Sequence, residues 1–147
     1  MESSWRIGGR SVTLAKPLLF MNTSGIALVR RGKADAANLL VVCDDMSLPL
    51  GQLRFRTGGG SGGHKGLESI IAELGTERFP RLRLGIGDSP TGTDWIDYVL
   101  SDFEEHERDA VSGMIAGAAE AIETALRGGL EAAMTRYNRS KPAATSP

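Results

Sequence analysis

Side chains able to act on an ester or hold a phosphate gather in two short stretches of the 147-residue chain. In the first, Asp44 and Asp45 close an apolar run, residues 39–43. That puts a carboxylate at a strand end, where open α/β sheets collect their sites. In the second, the ten residues 57–66 hold six glycines together with Ser61, His64 and Lys65. Glycines adopt unusual backbone angles and leave N–H groups unobstructed. The helix expected from about residue 66 adds roughly half a positive charge at its N-terminus. Such a loop suits a phosphate or an oxyanion, and His64 and Lys65 stand at its helix entrance.

Glycine loops match several motifs by chance, and their surroundings discriminate. A Walker loop needs Gly before its Lys, and here His64 precedes Lys65. Gly58, Gly60 and Gly63 with the late acid Asp88 meet a dinucleotide fingerprint literally, but the loop is longer than that motif's tight turn. Gly59-x-Ser61-x-Gly63 fits a nucleophile elbow. Its triad would have to draw on His106, on the polar face of an acid-rich helix. What remains is a loop whose backbone a bulky polymer can approach.

Period and punctuation give the elements that must position these groups. Residues 6–7 and 11–15 flank Gly8-Gly9-Arg10 as the strands of a hairpin. Asn22-Thr23-Ser24-Gly25 offers helix caps before 26–29. The run 39–43, too short for a helix, reads as a strand buried on both faces, and 52–56 alternates as a half-buried one. Leu67, Ile70, Ile71 and Leu74 have helical spacing, with Gly75 placed to end that helix. With a further strand at 81–86, the strand, loop, helix and strand resemble a βαβ unit. A long helix is expected over about 102–127, opened by a Ser101/Glu104 capping box and stopped by Gly128-Gly129. A short helix covers 130–138, and 141–147 reads as a disordered tail.

Composition bounds the rest. Apolar residues make up 41% of the chain and charged residues 24%, enough for a core and too apolar for wholesale disorder. The net charge of -1 excludes a globally basic nucleic-acid binder but hides blocks. Residues 1–43 carry six Lys/Arg against two acids, whereas 84–110 carry eight acids and one base. One cysteine, Cys43, excludes an intrachain disulfide and argues against a cysteine-based zinc site. The N-terminus lacks a signal-peptide pattern, and no apolar stretch approaches the ~18–20 residues that span a bilayer. The expectation is a single α/β domain over 1–140, soluble and cytoplasmic.

Four motifs in register then resemble the bacterial-type peptidyl-tRNA hydrolase family. They are Phe20-Met21-Asn22-x-Ser24-Gly25, Asp44-Asp45-x-x-Leu48-Pro49-x-Gly51, the run from Gly58 to Leu67, and Arg81-Leu82-Arg83-Leu84-Gly85-Ile86-Gly87. The resemblance spans nearly the whole chain. It implies a twisted mixed sheet with helices on both faces, and an enzyme that cleaves the ester between a peptide and the 3′ ribose of tRNA. It also implies a cytoplasmic monomer with peptidyl-tRNA as its partner, without metal, cofactor, membrane or obligate protein partner. Residue by residue, Asp44 matches the carboxylate that orients the family's catalytic histidine. Phe20, Asn22, His64 and Lys65 match residues of the substrate cleft, Lys65 standing where the family often has Asn. Arg56 and Arg83 match the basic residues that clamp the tRNA 5′ phosphate.

The family's general-base histidine sits on a Thr-Arg-His-Asn segment after a Gly-Asn-Pro-Gly turn. This sequence contains neither motif, and neither His64 nor His106 matches that histidine. Two readings follow. The favoured one is the enzyme with an N-terminally truncated sequence, because the remaining motifs are intact. The alternative is a shortened paralogue that binds tRNA or another RNA without hydrolysis.

Overall fold

A computed structural model describes residues 1–30 and 35–139, in two compact units of interleaved chain. One comprises Met1–Val41 with Arg56–Arg81; the other comprises Val42–Phe55 with the residues from Leu82 onward. The expected tail at 141–147 lies outside the described residues.

The first unit opens with the expected hairpin. β1 (Glu2–Ile7) and β2 (Arg10–Ala15) pair antiparallel from Glu2 opposite Ala15 to Ile7 opposite Arg10. Gly8 and Gly9 turn the chain at φ 56° and 77°, both left-handed, as the tight turn of a two-residue hairpin requires. A 3-10 turn at Met21–Thr23 leads into α1 (Ser24–Val29), which packs on α2 (Lys65–Leu74). Gly25 makes that approach possible. A Cβ there would come within 2.2 Å of the Ser69 carbonyl oxygen, and the Gly25 N–H donates to Ser69 Oγ at 2.9 Å. α2 buries Leu67 and Ile70 and ends at Gly75 in the left-handed region, as its spacing predicts.

Most residues of the sheet strands belong to the second unit. β3 (Val41–Asp45), β4 (Leu53–Arg56) and β5 (Arg81–Gly85) lie in the order β3-β5-β4. The Val41 N–H donates to the Pro80 carbonyl and the Ile86 N–H to that of Asp45, so β3 and β5 run parallel. The Gly85 N–H donates to the Gln52 carbonyl, which sets the end of β5 beside the start of β4. Those two strands are antiparallel and the sheet is mixed. The segment from β4 through the glycine loop and α2 to β5 is therefore not the parallel βαβ unit expected. The dinucleotide reading, which needs that unit, falls with it.

Three further expectations are corrected here. β3 is not buried on both faces, since Val42 is 48% exposed; an apolar run reports what a strand can bury, not what covers it. The long helix α4 starts at Arg108, after a second helix, α3 (Trp95–Leu100), and a 3-10 turn at Glu105–Glu107. The capping box pairs Glu104 with Glu107 rather than Ser101 with Glu104, because Ser101 ends α3 instead. α3 has too few residues to show a helical period, and Asp94 caps it by accepting from the Ile96 N–H at 2.8 Å.

α4 (Arg108–Gly128) buries Met114, Ala118 and Ala121 and packs on α5 (Leu130–Tyr137). Phe55 of β4 is 1% exposed and meets the edge of Tyr137. Beyond α5, the Asn138 amide takes the place of a missing strand neighbour: it accepts from the Phe55 N–H at 2.7 Å and donates to the Phe55 carbonyl at 3.0 Å. Among the described residues no helix is long and apolar enough to cross a membrane.

Candidate functional site

Five of the seven residues singled out in the sequence belong to the first unit: Phe20, Asn22, Arg56, His64 and Lys65. His64 and Lys65 stand at the entrance of α2, and Asn22 lies on a turn that packs on this helix. His64 occupies the N-cap, where its Nδ1 accepts from the Gly66 and Leu67 N–H groups at 3.1 and 3.2 Å. A nitrogen that accepts two N–H bonds carries no proton, so the neutral ring holds its proton on Nε2.

The 3-10 turn 21–23 packs against this entrance. A Cβ on Gly66 would lie 2.6 Å from Met21 Sδ and 3.0 Å from His64 Cε1, so glycine at 66 lets the thioether and the imidazole share one spot. The turn that carries Asn22 is thereby packed on the entrance of α2. Phe20, next in the chain, is 85% exposed. Asn22 is exposed and caps nothing, because neither the 3-10 turn nor α1 has a side-chain cap. The cap expected of it is absent, and its amide is left facing solvent. Met21 was missed in the sequence, where a methionine inside a matched motif carries no polar signal.

Lys65 extends along the surface and pairs with Glu68 at 3.0 Å, an exposed i,i+3 contact worth little. Arg56 ends β4, exposed, and makes no ion pair among the described residues; a Cβ on Gly59 would sit 3.8 Å from its Nη1. Ser61, the elbow candidate, accepts the Gly63 N–H at 3.2 Å within the loop's own turn. An apolar hollow of about 280 Å³ elsewhere in this unit, lined by Leu18, Leu19 and Leu28 among others, includes none of these residues.

Asp44 and Arg83 belong to the second unit. Asp44 stands half-buried near the C-terminal end of β3, as the closed apolar run predicts. Its neighbour Asp45 pairs with Arg83, whose Nε and Nη2 both reach Asp45 Oδ2. Ser47 completes the cluster: its hydroxyl and amide donate to Asp45 Oδ1 at 2.6 and 2.8 Å, and its Oγ accepts from Arg83 at 3.1 Å. Burial pushes the Asp45 carboxyl up, but the Ser47 hydroxyl and amide, followed by the Arg83 guanidinium, outweigh it. The Asp45 pKa lies below its ordinary value. Arg83 is thus already neutralised by a carboxylate. Asp45 and Ser47 were legible only as the next residue and a turn serine, with nothing to mark them as its partners.

The first unit offers an imidazole at a helix cap, an exposed amide and an exposed arginine; the second offers a strand-end carboxylate and a paired arginine. Among the described residues no group of three or more His, Cys, Asp or Glu could hold a metal ion. A sequence model of the peptidyl-tRNA hydrolase family matches residues 1–145. The peptidyl-tRNA hydrolase of Methylacidiphilum infernorum is 52% identical over 125 residues, covering 83% of this chain and 67% of that relative. That of Chloroflexus aurantiacus is 48% identical over 136 residues, covering 90% and 72%. In structure, the peptidyl-tRNA hydrolase of Acinetobacter baumannii superposes with a TM-score of 0.85 at 30% identity, covering 97% of this chain and 74% of that one.

Proposed function

The chain belongs to the peptidyl-tRNA hydrolase family, and from that premise we propose the division of labour by which it hydrolyses peptidyl-tRNA. The reaction is the attack of water on the ester carbonyl that joins a peptide to the tRNA 3′ ribose. It releases a peptide carboxylate and a free 3′ hydroxyl, and so returns the tRNA to translation. The observation that supports the assignment of residues is the meeting of the Met21 thioether and the His64 imidazole over Gly66, which packs the turn that carries Asn22 against the capped entrance of α2.

In this reading Asn22 and His64 serve the part of the cleft that takes the peptide backbone or terminal ribose, and Phe20 offers an exposed apolar face to it. Lys65 exchanges its weak surface pairing with Glu68 for the substrate's negative charge. Arg56 and Arg83 hold tRNA phosphate, each charge-assisted contact being worth roughly 1.5–3 kcal/mol. In a chain that carries the family's general-base histidine, which neither His64 nor His106 matches, Asp44 holds that histidine, and this role makes it a positioning residue. The enzyme works on tRNA in the cytoplasm, as a monomer.

Release of N-acetyl-aminoacid from N-acetyl-aminoacyl-tRNA tests the activity, and Asp44→Asn tests the division of labour. A positioned base contributes on the order of 10²–10⁴ in rate, so in a full-length version that carries the general-base histidine the variant should lose turnover by up to that factor while its tRNA affinity persists. Unchanged hydrolysis by Asp44→Asn would reject the role. Binding of tRNA with no ester release by the unsubstituted protein would favour an RNA-binding paralogue.

A further inference from the structure

Ten residues with six glycines are costly to order, since glycine loses more conformational freedom than any other residue on folding. The glycine loop is nevertheless shaped in detail, with Gly59, Gly62 and Gly63 all at positive φ. Its inner side is tied down by one residue of the same unit, Arg81. This arginine is 3% exposed, and its guanidinium lies 4.4 Å from the centroid of the fully buried Phe79 ring. It donates to the carbonyl oxygens of Gly59, of Gly60 at 2.6 Å, and of Glu77 at 3.1 Å. The Gly59 N–H returns to the Glu77 carbonyl at 3.2 Å, and a Cβ on Gly58 would lie 2.9 Å from that same oxygen.

We propose that Arg81 is a positioning residue for substrate binding, which fixes the orientation of the peptide planes at the tip of the glycine loop. In a trans peptide the C=O and the N–H point opposite ways. Drawing the Gly59 and Gly60 carbonyls onto the guanidinium turns the N–H groups of Gly60 and Ser61 away from it. Gly60 is exposed and Ser61 partly so. These two donors therefore stand ready for an acceptor oxygen of the acyl-RNA terminus, three and four residues before the His64 cap. A planar guanidinium spreads its donors over a rigid fork and so fixes the directions of separated carbonyls, whereas a lysine ammonium gathers its three donors on one rotatable nitrogen.

The proposal rests on the peptidyl-tRNA hydrolase reading, and the experiment separates the two. Amide hydrogen exchange and the affinity for a tRNA mimic carrying an amide-linked, uncleavable peptide are measured for the unsubstituted chain, Arg81→Lys and Arg81→Gln. Exchange at residues 59–63 should accelerate at least about tenfold in both variants, while Ile70 and Ile71 within α2 keep their protection. Affinity for the mimic should fall about tenfold, as loss of one aligned contact predicts. Acceleration spread evenly over α2 and the loop would assign Arg81 a merely structural role and overturn the proposal, as would unchanged affinity. Where a variant fails to fold, titration of the unsubstituted protein decides: the Gly60 and Ser61 amide resonances must shift with the mimic, and their silence overturns it. Ester release by the unsubstituted protein is scored separately; its absence would defeat the hydrolase reading and leave the loop measurements standing.

Discussion

At the scale of single residues, His64 and Asp45 each combine a structural bond with a place near candidate chemistry, and substitution can separate the two. His64→Ala removes the acceptor for two N–H groups at the start of α2. Loss of a side-chain N-cap costs about 0.5–2 kcal/mol, and urea unfolding should register it. His64→Asn restores an acceptor at the cap and should recover most of that stability without recovering substrate affinity, if the imidazole is the group that binds. Asp45 makes a prediction in pH. Its pKa is lowered in the folded state, so its contribution to stability is complete above the unfolded carboxyl's value of ~3.9 and is lost as the pH falls through the lower folded value. Asp45→Asn should therefore be less stable than the unsubstituted protein at pH 6, and the gap should narrow in chemical denaturation below about pH 4. A gap that is constant with pH would mean that the Asp45–Arg83 pair contributes nothing through its charge.

At the scale of elements, the 3-10 turn at 21–23 and the entrance of α2 are fitted to each other through the absence of a side chain at 66. Gly66→Ala places a methyl 2.6 Å from Met21 Sδ. Overpacking of this kind costs typically about 1–3 kcal/mol. Met21→Ala in the same chain removes the obstructing atom, so thermal unfolding of the double variant should show less destabilisation than the two single changes added together. Strict additivity would mean that turn and helix do not touch in solution. The same two elements show what was legible in the sequence. α2 was plain, because Leu67, Ile70, Ile71 and Leu74 repeat with its period and Gly75 stops it. Its contact with 21–23 was not, because Gly66 looked like one more loop glycine and nothing in a one-dimensional pattern says which glycine faces a neighbour. α3 escaped for a related reason: six residues span less than two turns, and its exposed apolar side chains, Trp95, Ile96 and Leu100, follow no buried stripe. The parallel pairing of β3 with β5 and the antiparallel pairing of β5 with β4 are set by long-range hydrogen bonds, about which the local alternation of residues 52–56 is silent. Among the site residues, those that carry family motifs were readable as types and spacings. Asp45 and Arg81 became visible only once their partners, far away in sequence, had been brought to them.

At the scale of the whole molecule, charge decides how tRNA can be held. The net charge is -1, and residues 84–110 carry eight acids against the six Lys/Arg of 1–43, so the molecule as a whole is not basic and any hold on phosphate is local. Binding must rest on a few local contacts, and its salt dependence should be shallow. Each neutralised phosphate adds roughly 0.7–0.9 to the negative slope of log K against log salt, and proteins with 6–10 contacts show correspondingly steep slopes. Two arginines would give a slope of only about -1.5. They should not contribute equally, however. Arg56 is exposed and makes no ion pair among the described residues, whereas Arg83 is held by Asp45 and must give up that carboxylate, or share it, before it can serve a phosphate. Filter binding over a salt series should then show Arg56→Gln flattening the slope by nearly one contact and Arg83→Gln by clearly less. Asp45→Asn, which releases the guanidinium, should steepen it. Equal flattening by both arginine variants would mean that Asp45 yields Arg83 at no cost, and the near-neutral molecule would then be holding its substrate with both arginines at full strength.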